Sequence, residues 1–123
     1  MHTLLVVEDY ESLQEALQRN IALQGLRGIP ARTIEEAQEC LAEHFNDIDG
    51  ILMDGMRGGG VKLVKELHSA GFPGIIIACS TNGDVNNVMV REGADAAISG
   101  NNKADGIDLF LDLFEKANPK GVK

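Results

Sequence analysis

Three carboxylates in this sequence directly follow short apolar segments of the kind that form buried strands. Glu8 and Asp9 come after residues 3–7, and Asp54 comes after residues 50–53. If these segments are parallel strands, the carboxylates meet at one sheet edge, where each pair about 4 Å apart repels by roughly 4 kcal/mol at an effective dielectric near 20. Such a cluster either takes up protons or binds a cation. Oxygen ligands favour a hard cation, and we predict Mg²⁺.

Hydroxyl groups follow other apolar segments in the same way. Ser80 and Thr81 come after residues 75–79, and Ser99 closes a further segment. A single polar residue after a strand is more often a helix cap or a turn residue than part of a site. Three carboxylates and several hydroxyls at equivalent positions are better explained by a phosphate-handling site. The chain has a net charge of −8, so a bound Mg²⁺ would supply the positive charge that a phosphate needs.

Strand-like and helix-like segments alternate about five times along the chain. The predicted strands cover residues 3–7, 26–31, 50–54, 75–79 and 94–99. Strands joined through helices predict a parallel sheet with right-handed crossovers and helices on both faces, which is a doubly wound α/β fold. Pro30 places the second strand at or near a sheet edge, because proline has no N–H to donate.

Local signals predict where helices begin. Thr33 and Glu36 form a capping-box pattern, and Asp84 is placed to cap a short helix. Residues 58–60 are three consecutive glycines, which we expect to form a loop after Asp54.

Length and composition limit the classes of function. The 123 residues, 44% of them hydrophobic, suit one domain, which we place at 1–118 with a tail at 119–123 because Pro119 ends the last helical pattern. The acidic charge argues against a nucleic-acid surface on this domain. No segment predicts a secretory signal or a membrane span, so we expect a cytoplasmic protein without a membrane partner. Cys40 and Cys79 show no metal-ligand spacing and are interpreted as buried thiols.

Four segments resemble the receiver domains of two-component response regulators, and the resemblance covers nearly the whole chain. Residues 6–9 (VVED) resemble the acidic pair after the first strand, and residues 50–54 (GILMD) resemble the strand that presents the phosphoaccepting aspartate. Residues 76–82 (IIACSTN) resemble the fourth strand with its Ser/Thr, and residues 93–95 (GAD) resemble the segment before the fifth strand.

This resemblance implies a flavodoxin-like receiver fold with five strands and a signalling function. Asp54 would accept a phosphoryl group from a histidine kinase or a phosphotransfer protein. Glu8, Asp9, Asp54 and the backbone carbonyl of Met56 would hold Mg²⁺. Such a domain is a phosphoacceptor rather than an enzyme for an external substrate. Its downstream partner stays open, and a monomer or weak dimer is expected.

The chain departs from the family at the end of the fifth strand. Ser80, with Thr81 in a secondary role, matches the residue that donates to the phosphoryl group, but Gly100 stands where the family has a lysine. Lys103 follows three residues later; we expect a solvated surface lysine, and the alternative is that its ammonium replaces the missing one. Ala97 stands where the family has an aromatic ring that reports the Ser/Thr movement. Output would therefore travel through a loop or a helix.

Two other functions fit parts of the pattern. The chain could be a phosphorylation-independent interaction module, which Gly100 and Ala97 favour and the retained carboxylates oppose. It could also be a phosphohydrolase with an aspartate nucleophile. Such enzymes usually place a second aspartate two residues after the first, and that position is Met56 here.

Overall fold

A single parallel sheet forms the centre of the molecule, which is a computed structural model that describes residues 1–117. Its strands are β1 (Thr3–Val7), β2 (Arg27–Ala31), β3 (Gly50–Met53), β4 (Ile75–Ala78) and β5 (Ala96–Ala97). Their order across the sheet is β2-β1-β3-β4-β5, and every neighbouring pair is parallel. The predicted doubly wound fold is confirmed, and β2, which contains Pro30, is an edge strand as expected.

Helices follow the strands along the chain. They are α1 (Glu11–Leu23), α2 (Ile34–His44), α3 (Gly59–Ser69), α4 (Gly83–Glu92) and α5 (Asp105–Ala117), with a 3₁₀ turn at Met56–Gly58. Within residues 1–117, no helix combines the length and the apolar character that crossing a membrane requires. The predicted helix end at Pro119 and the tail at 119–123 lie outside the described residues.

The core has two layers, one on each face of the sheet. Alternate residues of each strand point to opposite faces. Leu5, Val7 and Ile51 pack with residues from α2, α3 and α4. Leu4 and Val6 pack on the other face with residues from α1 and α5. Apart from Thr3 at the start of β1, the central strands are therefore apolar, and polar residues follow at their carboxyl ends.

The N-cap residue was predicted correctly for α2 and wrongly for α4, and only the Thr33 half of the predicted capping box forms. The Thr33 hydroxyl accepts a hydrogen bond from the Glu36 N–H at 3.0 Å, whereas the Glu36 carboxylate reaches the Arg32 N–H at 2.8 Å. The cap of α4 is Asn82 rather than Asp84, because the Asn82 side chain accepts from the Asp84 N–H at 2.9 Å. Asp84 lies in the first turn, where its charge favours the helix N-terminus.

The prediction of a loop over 58–60 is wrong for its last two residues, because Gly59 and Gly60 are the first residues of α3. A Cβ at Gly60 would overlap the carbonyl oxygen of Asp54. Only glycine lets the backbone of α3 lie this close to the Asp54 carbonyl. The first turn of α3 therefore packs directly against Asp54. Gly58 has a φ of 95°, which is the left-handed conformation that ends the preceding turn.

The fifth strand is much shorter than predicted. Two residues form β5, instead of the six expected at 94–99. The backbone N–H of Asp95 donates to Ile76 and that of Ile98 donates to Ala78, so the flanking residues still follow β4 without regular strand geometry.

Candidate functional site

Three carboxylates converge where β1 and β3 end. One oxygen from each of Glu8, Asp9 and Asp54 lies within 4.8 Å of the others. The strands are in register, with Val7 opposite Met53, so the residues that follow each strand become neighbours. Glu8 is buried and Asp9 is exposed, while 18% of the Asp54 side chain is exposed. The predicted convergence is confirmed, and a donor set of carboxylate oxygens suits Mg²⁺.

A lysine lies among these carboxylates. The Lys103 ammonium donates to the Glu8 carboxylate, and its Nζ is 2.6 Å from Asp54 Oδ1. Lys103 is only 6% exposed, so the expectation of a solvated lysine is wrong. The side chain of Asn102 accepts from the Ala104 N–H at 3.1 Å, and this turn precedes α5. Lys103 thus comes to the site from the turn before α5 rather than from the end of β5.

The surroundings of Lys103 keep it charged. Burial alone would lower the pKa of Lys103, but hydrogen bonds and charge attraction from Asp54 and Glu8 outweigh burial and raise the pKa above its ordinary value. One ammonium cannot offset three carboxylates, so the cluster keeps an excess of negative charge that a divalent cation can balance. Lys103 therefore neutralises part of the negative charge of the carboxylates, which we had expected a metal to balance alone.

The backbone after Asp54 turns tightly. The Met56 N–H donates to Asp54 Oδ2 at 3.1 Å. Met56 and Arg57 have φ values of 48° and 54°, a conformation that residues with a Cβ rarely adopt. The Met56 carbonyl accepts a hydrogen bond from the Gly59 N–H, and a carbonyl oxygen has one further lone pair to offer a ligand.

Ser80 is buried beside the residue that follows Asp54. A Cβ at Gly55 would lie 3.6 Å from the Ser80 hydroxyl oxygen. That oxygen accepts a hydrogen bond from the Asn82 N–H at 3.0 Å, which leaves the hydroxyl proton to be donated. Thr81 is exposed on the same loop. Gly100 is also exposed, and a Cβ there would meet no atom within 4 Å.

Gln14 supports the site but was missed by sequence reasoning. Its buried side-chain amide donates to the carbonyls of Val6 and Glu8 at 3.0 and 3.1 Å, which fixes the end of β1. A signal was present in the sequence, because Gln14 shares a helical face with Leu17 and Ile21. A polar residue within an apolar stripe indicates a buried hydrogen-bonding role.

Asn86 was missed in the same way. It is buried on α4, on one face with Met89. Its side-chain oxygen accepts from the Ser80 N–H at 2.9 Å, and its side-chain nitrogen donates to the Ser80 carbonyl at 2.8 Å. Ser80 is therefore held by a side chain rather than by a neighbouring strand.

Solved structures of low sequence identity match almost the whole chain. The Francisella response regulator 1452 receiver domain is 18% identical with a TM-score of 0.81, over 96% of this chain and 99% of that chain. A response regulator receiver domain protein from Clostridium thermocellum is 18% identical with a TM-score of 0.77, over 95% of this chain and 99% of that chain. NtrX from Brucella abortus is 19% identical with a TM-score of 0.81, over 98% of this chain and 28% of that chain. This chain has the receiver fold. No protein-family model and no curated protein matches it.

The receiver fold explains where the polar residues lie. In an open parallel sheet of this strand order, the crevice opens at the carboxyl ends of the two strands where the order reverses. Here those strands are β1 and β3. Glu8, Asp9 and Asp54 follow these two strands, so the carboxylates occupy the position where this class of fold binds ligands.

Proposed function

We propose that this chain is a phosphoaccepting receiver domain of a two-component system, with Asp54 as the phosphoacceptor. The observation that carries the proposal is the convergence of Glu8, Asp9 and Asp54 at the β1–β3 crevice, with Asp54 partly open to solvent. Asp54 combines a place in a cation-binding cluster with access for an incoming group.

The transfer is a nucleophilic displacement at phosphorus. A carboxylate oxygen of Asp54 forms a bond to the phosphorus, and the bond from phosphorus to the nitrogen of a donor phosphohistidine breaks. The leaving imidazole nitrogen keeps the electron pair of that bond and takes a proton from the solvent. Bound Mg²⁺, held by Glu8, Asp9, Asp54 and the Met56 carbonyl, would offset the charge of the phosphoryl oxygens.

Lys103 and Ser80 would then contact the new phosphoryl group. An aspartyl phosphate carries more negative charge than a carboxylate, so the Lys103 ammonium gains an anionic partner next to Asp54. The Ser80 hydroxyl has a proton to donate, and Thr81 is the secondary donor. Lys103 thereby takes the part that the family gives to the lysine missing at Gly100.

We also propose the partners of the domain, its location and its oligomeric state. The partners are a histidine kinase or a phosphotransfer protein and an unidentified downstream protein. The receiver domain spans 1–118, acts in the cytoplasm as a monomer or weak dimer, and signals rather than turning over an external substrate.

Intact mass spectrometry tests the function directly. The protein is incubated with acetyl phosphate, with and without Mg²⁺. We expect the mass of one phosphoryl group to be added only with Mg²⁺, and Asp54→Asn to abolish the addition. Asp47→Asn is the matched control, because Asp47 is an exposed aspartate that precedes β3 instead of following it. An unmodified wild type, or equal modification of Asp54→Asn, contradicts the proposal.

One observation favours the second candidate, a phosphorylation-independent interaction module. The ion pairs of Lys103 with Glu8 and Asp54 partly neutralise the cluster without any metal. If this candidate is correct, Mg²⁺ leaves the melting temperature unchanged and acetyl phosphate leaves the mass unchanged.

A further inference from the structure

Asn86 makes a pair of hydrogen bonds to a residue of the candidate site. It accepts from the Ser80 N–H and donates to the Ser80 carbonyl, at 2.9 and 2.8 Å. The two residues are only 3% and 7% exposed. Among side chains, a carboxamide offers a donor and an acceptor close together, as a backbone peptide does. Asn86 therefore makes the two backbone hydrogen bonds with Ser80 that a neighbouring strand would otherwise make. Ser80 lies just beyond the end of β4.

A second contact joins Ser80 to the first turn of α4. The Ser80 hydroxyl oxygen accepts from the Asn82 N–H, and the Asn82 side chain accepts from the N–H groups of Asp84 and Val85. The cap of the helix and the buried amide one turn later thus hold the same serine. Ser80 and the N-terminal half of α4 are connected at two places.

The same turn of α4 packs against the residue that follows the phosphoacceptor. A Cβ at Gly55 would come within 3.0 Å of a methyl carbon of Val85. A movement of Asp54 and Gly55 would therefore displace α4 through direct packing as well as through Ser80. Ala97, which is half-buried on β5, has no ring that could change rotamer in response.

We propose that Asn86 is a positioning residue, which fixes the Ser80 hydroxyl toward Asp54 and makes Ser80 and α4 move as one unit. When Ser80 is drawn to a phosphoryl group on Asp54, the first turns of α4 move with it. This rests on the proposed function. It assigns the route of the signal to the Asn86–Ser80 hydrogen bonds, in place of the aromatic ring that the chain lacks at Ala97.

The test compares Asn86→Asp with Asn87→Asp by nuclear magnetic resonance. Asn86→Asp keeps an acceptor for the Ser80 N–H but places a carboxylate oxygen against the Ser80 carbonyl. Asn87 is exposed on the same helix, so Asn87→Asp adds the same charge without touching Ser80. Before phosphorylation, we expect the Ser80 amide to exchange with solvent at least about tenfold faster in Asn86→Asp than in the control.

The second measurement uses acetyl phosphate and Mg²⁺. Phosphorylation should shift the amide resonances beside Asp54 and in α4 in the wild type and in Asn87→Asp. In Asn86→Asp, phosphorylation should still shift the amide resonances beside Asp54. The shifts in α4 should be smaller than in the wild type by at least about half. A purely structural role for Asn86 predicts instead that both sets change in proportion.

Each outcome bears on one proposal or the other. A phosphorylated Asn86→Asp protein with full α4 shifts overturns the positioning role and leaves the proposed function standing. A wild type that takes no phosphoryl group overturns the proposed function and the positioning role with it. If Asn86→Asp does not fold, hydrogen exchange of the wild-type protein tests the positioning role instead. The Ser80 amide and the Asn86 side-chain amide must both stay protected from exchange after phosphorylation, and loss of either protection overturns the proposal.

Discussion

The Nζ of Lys103 lies 2.6 Å from Asp54 Oδ1 across 49 positions of sequence, and the same ammonium also bonds to Glu8. The turn before α5 is thereby tied to the residues that follow β1 and β3. The contact joins a buried acid, a partly exposed acid and a buried base. Its removal affects both the stability of the fold and the chemistry of the site.

Replacing Lys103 with methionine should lower the free energy of unfolding by about 3 kcal/mol. The substitution leaves Glu8 buried without its counter-charge, and breaking a buried pair by removing one partner is costly. Urea denaturation at pH 7 without metal measures the loss. Lys116→Met is the control, since the exposed Lys116–Asp112 pair contributes only about 0.5 kcal/mol. Equal losses in the two variants would show that Lys103 is not a buried partner in solution.

A lysine at the position of Gly100 should restore phosphorylation to the Lys103→Met variant. Gly100 is exposed, and a side chain there meets open space, so Gly100→Lys introduces no clash. We expect the rate of modification by acetyl phosphate to fall at least about tenfold in Lys103→Met, which corresponds to about 1.4 kcal/mol, and to recover in the double variant. A folded double variant that stays slow would contradict the interpretation of Lys103 as a relocated lysine.

Magnesium should bind more tightly to Lys103→Met than to the wild type. In the wild type, the ammonium is paired with Glu8 and Asp54, which are also proposed metal ligands, so the two cations would compete. Metal at about 100 times its dissociation constant adds roughly 2.7 kcal/mol of stability, which is visible as a rise in melting temperature. Calorimetric titration measures the affinity, and Asp9→Asn should weaken it. Weaker binding to Lys103→Met would mean that Lys103 assists the metal instead.

The two cysteines should differ in reactivity and in their effect at high pH. Burial raises the pKa of Cys79 to about 12, while Cys40 is only half-buried. A disulfide reagent at pH 8 should therefore modify Cys40 first and Cys79 only on unfolding. Above pH 9 the thiol ionises in the unfolded chain but stays protonated in the folded one, so the wild type loses stability relative to Cys79→Ala. We expect about 1 kcal/mol between pH 9 and 10. A constant difference would place Cys79 at the surface.

Adding a methyl group at Gly60 should destabilise the protein by about 1–3 kcal/mol, because the new Cβ overlaps the Asp54 carbonyl oxygen. Gly83→Ala is the matched control. Gly83 also begins a helix, and a Cβ there meets no atom within 4 Å. Thermal denaturation should show a lower melting temperature for Gly60→Ala alone. Similar behaviour of the two variants would mean that Gly60 does not lie against the Asp54 carbonyl in solution.

Some features of the site follow from local sequence, and others do not. The convergence of Glu8, Asp9 and Asp54 was predictable, because it needs only two apolar strands that are parallel neighbours and end in acids. The burial of Lys103 was not, because it depends on the turn at Asn102 that directs the side chain inward. The bonds of Asn86 to Ser80 depend on how α4 packs beyond β4, and the sequence gives only the hint of a polar residue within an apolar face.

The two outer strands leave little unpaired edge for contact with other molecules. Unpaired strand edges can recruit strands from other molecules and start aggregation. Here β5 offers an edge of two residues, and β2 carries Pro30, which has no N–H to donate. Two different local features therefore hinder the addition of further strands, and the net charge of −8 adds repulsion between copies.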